Sequence, residues 1–360
     1  MFLTRRINSL CETGGRLPHK FAKLGAIATS ALLLAACEPA SEPDTSEVET
    51  PTPSASEDNI ELVSTGVVER VESEGVEAVA FLPDSSTAWA GLIVSAPREG
   101  GLDLYNADGQ SVHRMAGPRL WGLASAPGFQ LRGEALPLLF AADRDANLVR
   151  AFALFRDGPA LIEAPLEPIS MDSEIASLCA LGEGIGYVDL LVLSRSTTAE
   201  IWRISDTGGE LIGAERIRSF DLPFPARSCA AGNGFLYASG PAGGIIRFDE
   251  SGAVDREIEG FATSLTAGPF LGRPVLLATD GTATTIEALD GMTLERIGDV
   301  VVRAGFSIPG ISQPGAISSS EASFGGAAYQ SGLVAIADEE DGRIRLIARE
   351  TFARALTLTD

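Results

Sequence analysis

Apolar and polar positions along this chain repeat one arrangement six times. Each copy holds an apolar run ending in a small residue, then a polar loop, then an alternating segment that usually runs into a turn. The copies are "GLIVSAPREGGLDLYNADG" from Gly91, "PLLFAADRDANLVRAFALFRDG" from Pro137, "LLVLSRSTTAEIWRISDTGG" from Leu190, "GFLYASGPAGGIIRFDESG" from Gly234, "PVLLATDGTATTIEALDG" from Pro274 and "GLVAIADEEDGRIRLIARE" from Gly332. Their starts fall about 40 to 58 residues apart, the spacing of repeated supersecondary units. Period-two segments bounded by Gly, Asp and Asn turns predict short antiparallel strands. After the leader, no long i, i+3, i+4, i+7 pattern predicts a helix. A β-sandwich or a solenoid would give some of these strands, but six copies of blade size predict an all-β chain folded as a single six-bladed β-propeller over residues 61–360. A lone blade cannot bury both its faces, so the six are expected to form one domain. The apolar run is expected to be an inner strand. The polar loop behind it is then expected to point to one face of the central channel, where rigid sheets would hold six converging loops.

The pattern is different before residue 61. Arg5, Arg6, Arg16, Lys20 and Lys23 precede the apolar run "LGAIATSALLLAAC", a charged region followed by a hydrophobic segment shorter than the roughly 20 residues a spanning helix needs. Residues 1–36 therefore read as an export signal. Leu34-Ala35-Ala36-Cys37 resembles the bacterial lipobox, which implies diacylation of Cys37 as the first mature residue. Residues 37–60 are rich in Pro, Ser, Thr and acid, with too few large apolar side chains for a core, and read as a disordered linker. Glu38, rather than Asp, follows the cysteine and points to the outer membrane, facing the periplasm. The lipid would be the only contact with the membrane.

Composition narrows the chemistry. The chain has 360 residues, 45% hydrophobic and 21% charged, enough for a large core. A formal net charge of -22 repels nucleic acid. Both lysines lie in the leader, so every later fixed positive charge is an arginine. His113 is the only histidine after residue 19. Lysine Schiff bases and zinc sites of two or three histidines are excluded. Nothing around His113, "GQSVHRMAG", looks like a nucleophile elbow, and it reads as an ordinary strand residue. With Cys11 in the leader and Cys37 lipidated, Cys179 and Cys229 remain, and an oxidising compartment favours a disulfide over two free thiols.

"GGLDLYNADGQ", "AADRDANLVRAFAL", "EIASLCAL", "EIWRI" and "RSCAAGNGFLYAS" occur in the order and spacing of the β-propeller phytases, which the chain resembles from about Val63 to Phe352. The likeness is weak in the last third. That resemblance implies six blades and a calcium-dependent phosphomonoesterase acting on myo-inositol hexakisphosphate. Phosphate is held in such a site by cations, and guanidinium offers two parallel hydrogen bonds to it. The family's basic positions fall on Arg98, Arg144 and Arg195, which become the candidate anion-binding residues.

The carboxylates depart from the family. Its Asp-Asp-Pro-Ala-Ile-Trp is replaced by Gly75-Val76-Glu77-Ala78-Val79-Ala80, its Glu-Gly-Cys by Arg227-Ser228-Cys229, and its Glu-Glu pair by Gly240-Pro241. Asp-x-Glu-Gly-Leu becomes Phe261-Ala262-Thr263-Ser264-Leu265, and Asp-Thr-Asp-Gly becomes Ser312-Gln313-Pro314-Gly315. Calcium requires six to eight oxygens, several of them charged. Glu74, Glu77, Asp143, Asp145 and Glu174 are the residues left to rebuild such a site, and no catalytic residue is assigned. Two readings follow. One is a calcium-dependent phytase-like hydrolase, impaired by lost ligands. The other is a propeller that binds a phosphorylated or otherwise anionic small molecule, such as an inositol phosphate, without cleaving it. A protein-interaction scaffold remains a blander alternative with no residue to support it. Within "DRDAN", Asp143, Asp145 and Asn147 suit a turn as well as a hard cation.

Overall fold

A computed structural model describes residues 59–64, 66–67 and 75–357. The proposed leader, the expected lipidation site Cys37 and the candidate ligand Glu74 lie outside the described residues. Six antiparallel sheets follow one another around an axis. Blade one holds Val76–Leu82, Leu92–Pro97, Leu102–Tyr105 and Ser111–Met115. Blade two holds Leu120–Ala126, Leu138–Asp143, Leu148–Phe155 and Ala160–Ala164. Blade three holds Ile175–Gly184, Tyr187–Ser194, Thr198–Ser205 and Gly213–Asp221. Blade four holds Ser228–Gly232, Phe235–Gly240, Gly244–Phe248 and Val254–Ile258. Blade five holds Ser264–Phe270, Arg273–Thr279, Ile286–Asp290 and Arg296–Arg303.

Blade six takes Pro314–Ser320, Leu333–Asp338 and Ile344–Ala348 from the end of the chain. Its outermost strand is Gly66–Val67, from ahead of blade one, paired antiparallel to the third strand. Both ends of the domain thus close one sheet. Asn59–Val63 adds a fifth, parallel strand to blade five. The first described strand therefore begins at Asn59, two residues before the boundary expected from composition. Ile60 and Leu62 of that strand are buried with Phe270 and with Phe352 and Leu356 of the helix Arg349–Thr357.

The apolar runs of the repeats prove to be second strands, not the innermost ones. First strands pack against one another around the axis, blade to blade, and close the ring between blades six and one. The burial pattern explains the difference. Leu92–Pro97, Leu138–Asp143 and Leu333–Asp338 are buried at every position, because each second strand is covered on both faces by neighbouring blades. Such strands read as continuous apolar runs. First strands crowd around the axis and carry small residues, as in "ASLCALG" and "SCAAG". Outer strands such as Val254–Ile258 face water and are exposed at nearly every position.

Seams between first strands are closed by side chains. Ser264 and Thr266 of blade five join blade six, where the Ile317 N–H donates to the Ser264 hydroxyl over 3.0 Å and the Ser319 N–H to that of Thr266 over 3.1 Å. Between blades three and four the seam is covalent: Cys179 and Cys229 form a disulfide, with Cα atoms 6.2 Å apart and a sequence separation of 50. Closing a loop of that length restricts the unfolded chain by about 4 kcal/mol in the entropic account.

Candidate functional site

The face on which first strands begin and second strands end is organised by one backbone bond repeated around the ring. The residue after the second strand donates its N–H to the carbonyl of the residue before the first strand: Arg98 to Gly75, Arg144 to Arg119, Arg195 to Glu174 and Glu339 to Gln313, over 3.1, 3.0, 2.7 and 2.8 Å. In blade four the donor position is Pro241, which has no N–H. The bond there runs the other way, from Arg227 N–H to the Ser239 carbonyl. Arg98, Arg144 and Arg195 therefore hold equivalent places in three successive blades. The equivalent places in blades five and six are Asp280 and Glu339, so the basic positions are confined to one side of the mouth.

Trp121 organises that side. The first strand of blade two bulges just after it: Trp121 faces Ala142 and Ala124 faces Phe140, leaving two residues opposite Ala141. Gly122 supplies the left-handed φ of 54° the bulge needs. A side chain at Gly122 would press on the backbone of Ser177 and Leu178 in blade three. The guanidinium carbons of Arg144 and Arg195 lie 4.7 and 4.8 Å from the indole centroid. Each such contact contributes about 0.5–1 kcal/mol where water has access.

Arg195 is half-buried and sits 3.0 Å from the Glu174 carboxylate. Burial pushes its pKa below the usual arginine value, and so do the nearby charges of Arg227 and Arg144, while Glu174 opposes them. It stays a cation at neutral pH, held among other cations. Neither Arg144 nor Arg227 makes an ion pair among the described residues. The Trp121 Nε1 atom is buried without a hydrogen-bond partner. A cavity of about 380 Å³ opens beside these groups and extends between the first strands. Among the described residues Glu77, Arg195 and Arg227 are its only ionisable lining residues, and the Cys179–Cys229 bridge is part of its wall.

Arg98 does not join the cluster on Trp121. Glu77 lies 3.4 Å from its Nε, and its Nη2 donates to Glu339. The candidate calcium ligands are likewise engaged one at a time. Glu77 belongs to Arg98 and Glu174 to Arg195. Asp145 is bound by Arg119, whose hydrogen bond is the main cause holding its carboxyl below the usual range. Asp143 is buried, 2.7 Å from Arg150 Nε, and accepts the N–H groups of Asp145 and Ala146. Among the described residues no three of His, Cys, Asp and Glu gather where a metal could bind. The described donors do not fit calcium, because each carboxylate is already neutralised by a guanidinium and no three of them gather at one point. His113 sits on the outer strand of blade one opposite Leu104, away from the mouth.

Four residues of the mouth were not singled out in the sequence as binding candidates: Trp121, Arg119, Arg227 and Glu339. Arg227 left a signal, since it stands where the resembled family has a glutamate, a charge reversal two residues before Cys229. Trp121 left only an aromatic residue beside a glycine.

No family model matches the sequence, and no curated protein matches it. Solved structures are similar in fold. The WD40 beta propeller domain of Doa1 aligns with a TM-score of 0.47 at 13% identity, over 79% of this chain and 96% of that one. BBS1N, crystallised in complex with ARL6DN and soaked with mercury, aligns with a TM-score of 0.46 at 8% identity, over 79% of this chain and 97% of that one. Neither likeness says anything about a ligand of this chain.

Proposed function

We propose that this propeller is a non-catalytic binding module for a phosphorylated or otherwise anionic small molecule, held at the mouth by Arg144, Arg195 and Arg227. One observation carries the reading. Three guanidiniums share one side of the mouth and, among the described residues, only one of them, Arg195, has an ion-pair partner, Glu174, although the whole chain carries a net charge of -22. Gathering like charges costs free energy unless a counter-charge arrives, and a bound anion supplies it. The resemblance to the β-propeller phytases supports phosphate as the group recognised. Hydrolysis is not part of the proposal, because calcium has no set of converging donors to activate water.

Calorimetry with inorganic phosphate, phytate and polyphosphate tests it. Arg144→Ala is expected to weaken binding about tenfold or more, since a hydrogen bond to a charged group contributes about 1.5–3 kcal/mol. Arg98→Ala is expected to change it little, because Glu77 and Glu339 already occupy that guanidinium. Unchanged affinity in Arg144→Ala would remove the site. Calcium-dependent phosphate release from phytate would restore the hydrolase reading.

The same proposal includes a lipid anchor at Cys37, in the bacterial outer membrane facing the periplasm, supported by the lipobox-like Leu34-Ala35-Ala36-Cys37 alone. Fractionation of cells expressing Cys37→Ser should move the protein from membrane to soluble fractions. Retention in the membrane would argue against the anchor.

A further inference from the structure

We propose that the mouth takes one phosphomonoester group on a compact, uncharged organic body, and discriminates against polyphosphorylated ligands. The inference rests on the anion-binding reading above and narrows it.

Charge complementarity is the first argument. Glu174 pairs with Arg195, while Arg144 and Arg227 have no ion-pair partner among the described residues, so two guanidiniums are left to meet a ligand's charge. A phosphomonoester above its second pKa of about 6 carries nearly two negative charges. One such group is thus neutralised and a second is not.

Among the described residues, the other cations of the mouth are already paired. Arg98 is held between Glu77 and Glu339, and Arg119 is held by Asp145. On blade five the equivalent place is Asp280, whose carboxylate accepts the N–H groups of Thr282 and Ala283. Further phosphates on the same ligand would meet carboxylates whose counter-ions are already engaged. Each would lose water without gaining a partner.

The cavity sets the remainder of the ligand. Its 380 Å³ lie at the small end of the range of small-molecule pockets. Its three ionisable described residues include two of the three cations of the cluster, Arg195 and Arg227, so among the described residues the body entering between the first strands meets no other charge except Glu77. Ala80, Ala124, Ala176 and Ala230 give it small apolar walls. The hydroxyls of Ser264 and Thr266 are occupied by the seam to blade six. Trp121 Nε1, buried and unpartnered, is a donor available to one acceptor oxygen beside the phosphate.

Calorimetry at pH 7.5 (about 1.5 units above the second phosphate pKa) with phenyl phosphate, inorganic phosphate and phytate separates the possibilities. Phenyl phosphate is expected to bind about tenfold tighter than either of the others, and Arg227→Ala to weaken it about tenfold or more. Ala176→Leu, which narrows the cavity, should erase the advantage of phenyl over inorganic phosphate while inorganic phosphate itself still binds. That retained binding also shows that the variant is folded. Tighter binding of phytate would overturn the selectivity and leave the anion site standing. Equal binding of phenyl and inorganic phosphate would overturn the role of the cavity. Absence of binding by all three probes would overturn both this inference and the reading on which it rests.

Discussion

Asp143 and Arg144 are adjacent in "DRDAN" and do opposite work. Asp143 turns inward, where one carboxylate oxygen accepts two backbone N–H groups of the turn and the other takes Arg150. Asn147 adopts the left-handed φ of 51°, which asparagine tolerates better than most residues, and its side chain reaches Ser173 and Ile175 of blade three. Arg144 turns outward to Trp121. Asp143→Ala is therefore expected to cost about 1.5–3 kcal/mol in urea unfolding, because the turn's N–H groups and the Arg150 guanidinium lose a buried, charged acceptor. Asp143→Asn keeps an oxygen for the turn and should cost about half as much. Equal stability of both variants and the parent would show that the turn does not depend on this carboxylate. The turn itself was legible in sequence because Asx chemistry acts over two or three residues. The pairing of each carboxylate with a particular arginine was not, since it depends on which strands lie side by side.

Braces between blades follow their own logic at the scale of the element. Arg247, buried on the third strand of blade four, binds both oxygens of Asp255 over 2.9 and 2.6 Å and donates to the Met292 carbonyl of blade five. Tyr237 adds a hydrogen bond of 2.8 Å to the Gly291 carbonyl at the same turn. The hydrogen bond from Arg247 holds the Asp255 carboxyl below the usual aspartate range, outweighing slight burial. A carboxyl with a depressed folded-state pKa stabilises the fold above its unfolded value of about 3.9, and the contribution disappears as pH falls through the depressed value. Stability should accordingly drop below about pH 4. Asp255→Asn should lower the urea midpoint at neutral pH and flatten part of that acid limb. A variant identical to the parent at pH 7 and pH 3 would mean that the brace carries no stability. The strands that carry these residues were visible as alternating segments; the brace was not, because it joins side chains to a turn in the neighbouring blade.

For the whole molecule, the decisive event is closure of the ring by chain that precedes blade one. Ile60 and Leu62 are buried against blade five and the C-terminal helix, and burying two such side chains contributes about 3–6 kcal/mol. A chain beginning at Ser64 should be less stable than one beginning at Asn59 by an amount of that order, measured in urea. Equal midpoints would show that this strand does not help close the fold. The sequence by itself determined the six blades, their turns and the pairing of Cys179 with Cys229, because hydrophobic period and turn chemistry are local and a cysteine count allows few partners. It misassigned the apolar runs to the axis, since burial on both faces by neighbouring blades leaves the same mark as burial at a centre. Only the tertiary structure decided which arginines are neutralised and which remain available. Arg98 meets Glu339 across 241 residues of sequence, and Arg195 meets Trp121 across a blade boundary. Coulombic and stacking contacts act over a few ångströms of space, and only the closed ring brings these residues that near.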